Sequence, residues 1–166
     1  MKEILIKLNA CRGAIEWVGD RTIEQAVADC HRGDWLLWLA SKLEIDRRKI
    51  TLAKGLCANT VRHLMTDDRS KNAVDAAIAY GKGDIGEEEL ADAALTAATA
   101  ALTAYNALPA SAALAASAAV YAASADAYNV VVGAALTAAR AENQKQTADI
   151  CREILGEEII TKFNQL

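Results

Sequence analysis

Apolar residues recur at three- and four-residue intervals along most of this chain, and no segment sustains the period-two alternation of a half-buried strand. The pattern predicts an all-α protein, a single multi-helix bundle over 1–166. Trp-containing helices occupy 1–90, alanine-rich helices 91–141 and a C-terminal helix 142–166. Start and stop signals divide the first part. A short helix covers 3–8, and "RGAIEWVGD" forms a second that ends near Gly19. Thr22 with Gln25 three positions on reads as a capping box for "TIEQAVADC". Asp34 is placed to cap "WLLWLASKL", Asp46 to cap a long helix through "RRKITLAKGLCANTVRHLM", and Ser70 to cap "KNAVDAAIAYGKG". In the long helix Ile50, Ala53, Leu56, Cys57 and Val61 share a stripe. Gly81 and Gly83 stop the helix after Ser70. Acids crowd the first turn of "GEEELADAAL", where the helix dipole favours them. In the last helix Ile150, Ile154 and Leu155 fall on one side.

Residues 91–141 are nearly all small, with no charge between Ala93 and Ala125. Alanine is the best helix former and lets backbones approach closely, so closely packed helices are the preferred reading. Pro109 breaks them and Ser111 caps the next. A membrane hairpin fits poorly, because leucines are few and Ser, Thr and Asn are scattered throughout. A disordered linker fits less well still.

The net charge of −4 argues against a nucleic-acid grip, which requires a basic face. The first residues lack a long uninterrupted apolar run, since Glu3 and Lys7 break it, so no signal peptide is read and the expected location is the cytoplasm. The four cysteines, Cys11, Cys30, Cys57 and Cys151, form no CxxC pair and no zinc pattern. Buried thiols are the preferred reading, with two disulfides left open.

Candidate chemistry is sparse. There is no phosphate loop, no GxSxG and no two-histidine metal set, so no enzyme, cofactor or metal is expected. His63 and Asp67 are spaced i, i+4 but imply no nucleophile. The stretch "CHRGDWLLWLA" is the densest feature. Trp35 and Trp38 share one helix face, Trp17 is placed to join them, and Arg32 and Asp34 precede them. A core cluster is the default, and an aromatic binding face the functional reading. "DRRK", with Arg47, and "MTDDRSKN", with Asp68, Arg69 and Lys71 beside a helix start, are candidate anion-reading patches. Ordinary capping and ion pairing are the plainer account of both. Tyr105, Tyr121 and Tyr128 either fill gaps between close helices or line a cleft.

The order of these segments resembles the immunity-protein-five-like domain family of bacteria and phages, which is associated with polymorphic toxin systems. The resemblance rests on "ACRGAIEWVGDRTIEQAVADCHRGDWLLWLASKL", "CANTVRHLMTDDRSKNAVDAAIAYGKGDI", "EEELADAALTAATAA" and "ENQKQTADICREIL". Within it, Cys30, Arg32, Asp34, Trp35 and Trp38 match the Trp motif, Asp68-Arg69-Ser70 the acidic-Arg helix start, and Tyr80 to Gly83 the helix stop. It implies an all-α, non-catalytic protein that neutralises a protein toxin or defence effector by stoichiometric binding. The alternative is a helical sponge, for which a homo-oligomer is one form, that sequesters a small-molecule or nucleotide signal between alanine-lined helices, read by aromatic stacking and by Arg69 or Arg47.

Overall fold

The computed structural model describes residues 1–65, 67–107 and 140–166, with side chains as far as Thr99 and again from Asn143. Among these residues the protein is all-helical and contains no strand. The helices are α1 (Lys2–Lys7), α2 (Arg12–Val18), α3 (Ile23–Asp29), α4 (Gly33–Lys42), α5 (Arg47–Asn59), α6 (Asp68–Lys82), α7 (Glu87–Ala107) and α8 (Arg140–Phe163), with a 3-10 turn at Arg62–Leu64. The expected break at Pro109, the cap at Ser111, Tyr121 and Tyr128 all lie outside the described residues. No helix of the described residues is long and apolar enough to cross a membrane.

Several boundaries follow from local chemistry as read. Thr22 and Gln25 form both bonds of the capping box of α3. Asp46 accepts from the Arg48 amide at 2.6 Å and starts α5. Gly83, at φ +90°, ends α6 in the left-handed conformation that a side chain disfavours. Glu87, Glu88 and Glu89 occupy the first turn of α7, and the Glu89 carboxylate accepts from the Gly86 amide at 2.6 Å.

Three boundaries differ from the sequence reading. Asp34 does not cap α4. The helix begins at Gly33 with Arg32 at the cap position and no side-chain cap bond, because both Asp34 oxygens are held by the Arg32 guanidinium. Ser70 does not cap α6, because Asp67 accepts from the Arg69 amide at 2.8 Å and starts the helix earlier. Ser70 is therefore one turn inside and fully buried. The long helix also stops short. It ends at Asn59, where the Thr60 hydroxyl donates to the Cys57 carbonyl at 2.7 Å and competes with continued helix, and the 3-10 turn follows. His63 and Asp67 thus share no helix.

Helix α8 is the hub, packing across α3, α4 and α5. It buries Thr147, Cys151, Leu155, Ile159 and Phe163, a ridge of side chains four residues apart. Helices α5 and α6 pack antiparallel and very close. A Cβ on Gly81 would lie 2.5–2.8 Å from Leu52, including its backbone, and one on Gly55 would lie 2.9 Å from Ile78. Small residues at these crossings set the spacing of the two helices.

The cysteines are free. Cys57 and Cys151 face each other across α5 and α8 with sulfurs 3.7 Å apart, a thiol–thiol hydrogen bond and no disulfide, and both are fully buried.

Candidate functional site

The turn between α3 and α4 carries the stretch that stands out in the sequence. Helix α3 ends at Asp29, and its last carbonyls need partners. Arg152, from the middle of α8, supplies them. Its Nε donates to the Val27 carbonyl at 2.9 Å and its Nη2 to the Cys30 carbonyl at 2.7 Å, while its Nη1 pairs with Asp149. A cation at a helix C-terminus also suits the helix dipole. Two residues on, the Cys30 thiol donates to the Arg32 carbonyl at 3.3 Å. Burial pushes that thiol up to about 11. Gly33 then lies against α8 so closely that a Cβ would sit 2.7 Å from the Thr147 backbone. The turn that carries "RGD" is therefore seated on α8, through the Cys30 carbonyl before it and Gly33 within it.

Arg32 reaches the Asp34 carboxylate with two bonds, Nε to Oδ1 at 2.7 Å and Nη2 to Oδ2 at 2.5 Å. Asp34 is 2% exposed and stands in the first turn of α4, where the helix dipole favours its charge. The Arg32 guanidinium carbon also lies 4.9 Å from the centre of the Trp35 ring.

Around this turn three rings form a triangle. Trp17 of α2 lies 5.7 Å from Trp35, His31 lies 5.8 Å from Trp17 edge-on, and His31 lies 6.1 Å from Trp35. Arg21 stands over Trp17 at 4.7 Å, held by its bond to the Trp17 carbonyl at 2.7 Å. His31 is exposed, and both indoles are half-buried. The result is the His31 imidazole and the Trp35 indole at a turn that α8 holds in place, faced by the Trp17 indole of α2, with each indole under a guanidinium. Such rings offer large contact area with little conformational freedom left to lose.

Beneath the rings, between α1, α2, α3 and α4, lies a cavity of about 50 Å³. Trp17, Trp35 and Trp38, the only tryptophans of the chain, all line it, together with apolar side chains such as Val27 and Leu36.

The other candidate residues lie elsewhere. Arg47, at the start of α5, pairs with Glu87 of α7 at 2.9 Å. Its neighbour Arg48 donates to the Tyr80 and Ile85 carbonyls and stands 4.3 Å over the Tyr80 ring, and Lys49 pairs with Glu158 at 2.6 Å. "DRRK" is thus used to tie α5 to its neighbours. At the start of α6, Arg69 pairs with Asp67 at 2.7 Å and Lys71 with Asp68 at 2.9 Å. The Asp67 carboxylate, held below its usual range by the Arg69 side chain, occupies the position that an external anion would take. Tyr105 falls within α7, and its side chain lies outside the described residues. The structure therefore brings together Arg32, Asp34, Trp35 and Trp38, and separates them in sequence and element from Arg47, Asp68, Arg69 and Lys71. Among the described residues no cluster of His, Cys, Asp and Glu could hold a metal ion.

Two parts of the site carry no sequence signal. Arg152 sits in an ordinary amphipathic helix, more than 120 residues from the carbonyls it serves. His31 stands four residues before Trp35, but the helix starts only at Gly33, so that spacing carries no helical signal and only the turn brings it between Trp17 and Trp35. Comparison with models of known protein families, with curated proteins and with solved structures finds no match.

Proposed function

We propose that this protein is a non-catalytic binding protein that neutralises a protein toxin or defence effector by stoichiometric contact, as the immunity-protein-five-like resemblance implies. The ring face of Trp17, His31 and Trp35 with Arg21 and Arg32 is the contact surface. The observation that carries this reading is the triangle of rings, 5.7–6.1 Å apart, two of them at a turn anchored to α8. Tryptophan and arginine supply a disproportionate share of binding energy at protein interfaces, above all where little ordering remains to be done. The net charge of −4 favours a partner of net positive charge. A nucleotide sponge would need donors and cations converging on a cavity, and the cavity beneath the rings offers mainly carbon.

The test is co-expression with candidate toxins and defence effectors. Growth should be rescued, and light scattering after gel filtration should find a complex with one copy of each chain. The doubly substituted His31→Ala/Arg21→Ala chain changes only residues at the surface of the face, and its affinity should fall at least tenfold. Rescue by a chain that forms no complex, or full affinity in the double variant, would contradict the proposal.

A further inference from the structure

Cys57 and Cys151 stand 94 residues apart in the chain, yet their sulfurs lie 3.7 Å from each other where α5 packs on α8. Both side chains are fully buried. Buried cysteines commonly serve as small core residues, and Cys30 fits that description, since its thiol donates to the Arg32 carbonyl. The pair differs, because each thiol has the other as a partner. A disulfide sets its sulfurs about 2.0 Å apart, so closing this gap asks each sulfur to move by only about 1 Å. The location also matters. The Cys57 thiol lies 3.8 Å from the Thr147 carbonyl oxygen, and a Cβ on Gly33 of the ring turn would lie 2.7 Å from that same oxygen. Arg152, next to Cys151, holds the Val27 and Cys30 carbonyls. The two thiols thus adjoin the segment of α8 that seats the ring turn.

We propose that Cys57 and Cys151 are a redox pair, which a small-molecule disulfide such as glutathione disulfide converts to a reversible crosslink between α5 and α8. One protein thiol gives up its proton, and its thiolate attacks a sulfur of glutathione disulfide. The reagent's S–S bond breaks and one glutathione leaves as a thiolate. The second protein thiol, deprotonated in turn, attacks the protein sulfur of the mixed disulfide and expels the second glutathione. Both protons end on glutathione thiols, and two electrons pass from the protein to the reagent. Excess reduced glutathione runs the exchange backward. The thiolate is the reacting form, and Cys151 is held as a thiol by its bond with Cys57 and by burial. Oxidation therefore proceeds through transient opening of the α5–α8 crossing. Reclosing then favours the crosslink, because the fold brings the two sulfurs together. A bond across so long a stretch of chain stabilises the native state, chiefly by restricting the unfolded one. This inference stands independently of the toxin-binding reading.

The test uses the full chain carrying Cys11→Ser, which removes the exposed thiol at a cap position where it makes no side-chain bond. The chain is equilibrated with mixtures of reduced and oxidised glutathione, once folded and once in unfolding urea, then quenched with acid and mapped by mass spectrometry. The folded product should be lighter by two hydrogen atoms, with the Cys57 peptide joined to the Cys151 peptide and Cys30 unmodified. The equilibrium constant for the crosslink should be about tenfold or more larger in the folded chain than in the unfolded one. The crosslinked chain should keep its native tryptophan emission and melt at a higher Tm, and dithiothreitol should return the Tm to its starting value. The proposal is overturned if the folded chain forms no bond between Cys57 and Cys151, or if Cys30 is joined in place of either. It is equally overturned if the constant is no larger folded than unfolded, or if the crosslinked chain melts below the reduced one.

Discussion

Arg32 and Asp34 stand two residues apart yet differ sharply in exposure, with side chains 30% and 2% exposed. Removing either therefore leaves a different residue of the pair behind. Arg32→Ala strands a carboxylate in a buried position, a loss on the order of 3–5 kcal/mol for a buried pair. Asp34→Ala leaves a guanidinium that reaches solvent, and about 1–3 kcal/mol is expected. Urea unfolding should rank the two in that order, with the double variant losing less than the sum. The thiols give a second expectation. Cys11 is exposed and Cys30, Cys57 and Cys151 are buried, so a thiol reagent should label one cysteine in the folded chain and the other three only on unfolding. The folded state holds the Cys30 proton more tightly than the unfolded chain, whose thiol titrates near 9.0. Stability is thus intact below that value and falls as pH rises through about 11, by about 2–3 kcal/mol for a shift of this size. The alkaline decline should be smaller in Cys30→Ala, which thermal melts across pH 8–11 would read. At this scale the sequence identifies which residues matter around the turn but misassigns Asp34. A carboxylate before an apolar helix reads as a cap, and nothing in the one-dimensional pattern shows that the arginine two residues earlier folds back to claim it.

Helices meet here through glycines and small side chains, and their substitution separates crowded crossings from open ones. Gly81→Ala gains roughly 1 kcal/mol of helix propensity. Its new methyl, however, meets the Leu52 backbone, which cannot give way as a side-chain tip could. Overpacking of this kind costs about 1–3 kcal/mol, so a net loss is expected. Gly33→Ala should also destabilise, since the methyl would meet the Thr147 backbone at 2.7 Å. Gly13→Ala is the contrast, because its Cβ would lie 3.8 Å from the Trp35 ring, an ordinary contact, and a gain of about 0.5–1 kcal/mol is expected. Urea midpoints should order the three accordingly. Arg152→Gln removes the cation that satisfies the end of α3, and about 1–3 kcal/mol should be lost, together with the tryptophan emission typical of the native turn. Caps were legible at this scale, as Thr22, Asp46 and Gly83 demonstrate, because each is a local exchange of hydrogen bonds. The buried face of α8 was legible only to within one residue. Ile150 and Ile154 look most apolar and are half-buried, whereas the ridge runs through Thr147 and Cys151, whose small size suits a close crossing better than their hydropathy suggests.

The whole molecule sets the ring face against an acidic background, with α8 as the member that fixes both the core and the turn. Composition and periodicity suffice for the all-helical architecture, since the absence of alternation and the density of helix formers leave few options. The site is less legible, because its rings come from α2, the α3–α4 turn and α4, and its anchor comes from α8. The pairing of Trp35 with Trp38 follows from spacing, whereas the approach of Trp17 and His31 follows only from how the short helices turn. The three tryptophans also furnish the most direct test. Labelled with fluorotryptophan, the chain should give three fluorine resonances, one each from Trp17, Trp35 and Trp38. On titration with a toxin or effector that the chain neutralises in co-expression, the resonances of Trp17 and Trp35 should move and saturate at one partner per chain. Formation of that complex with all three resonances unmoved would contradict the account.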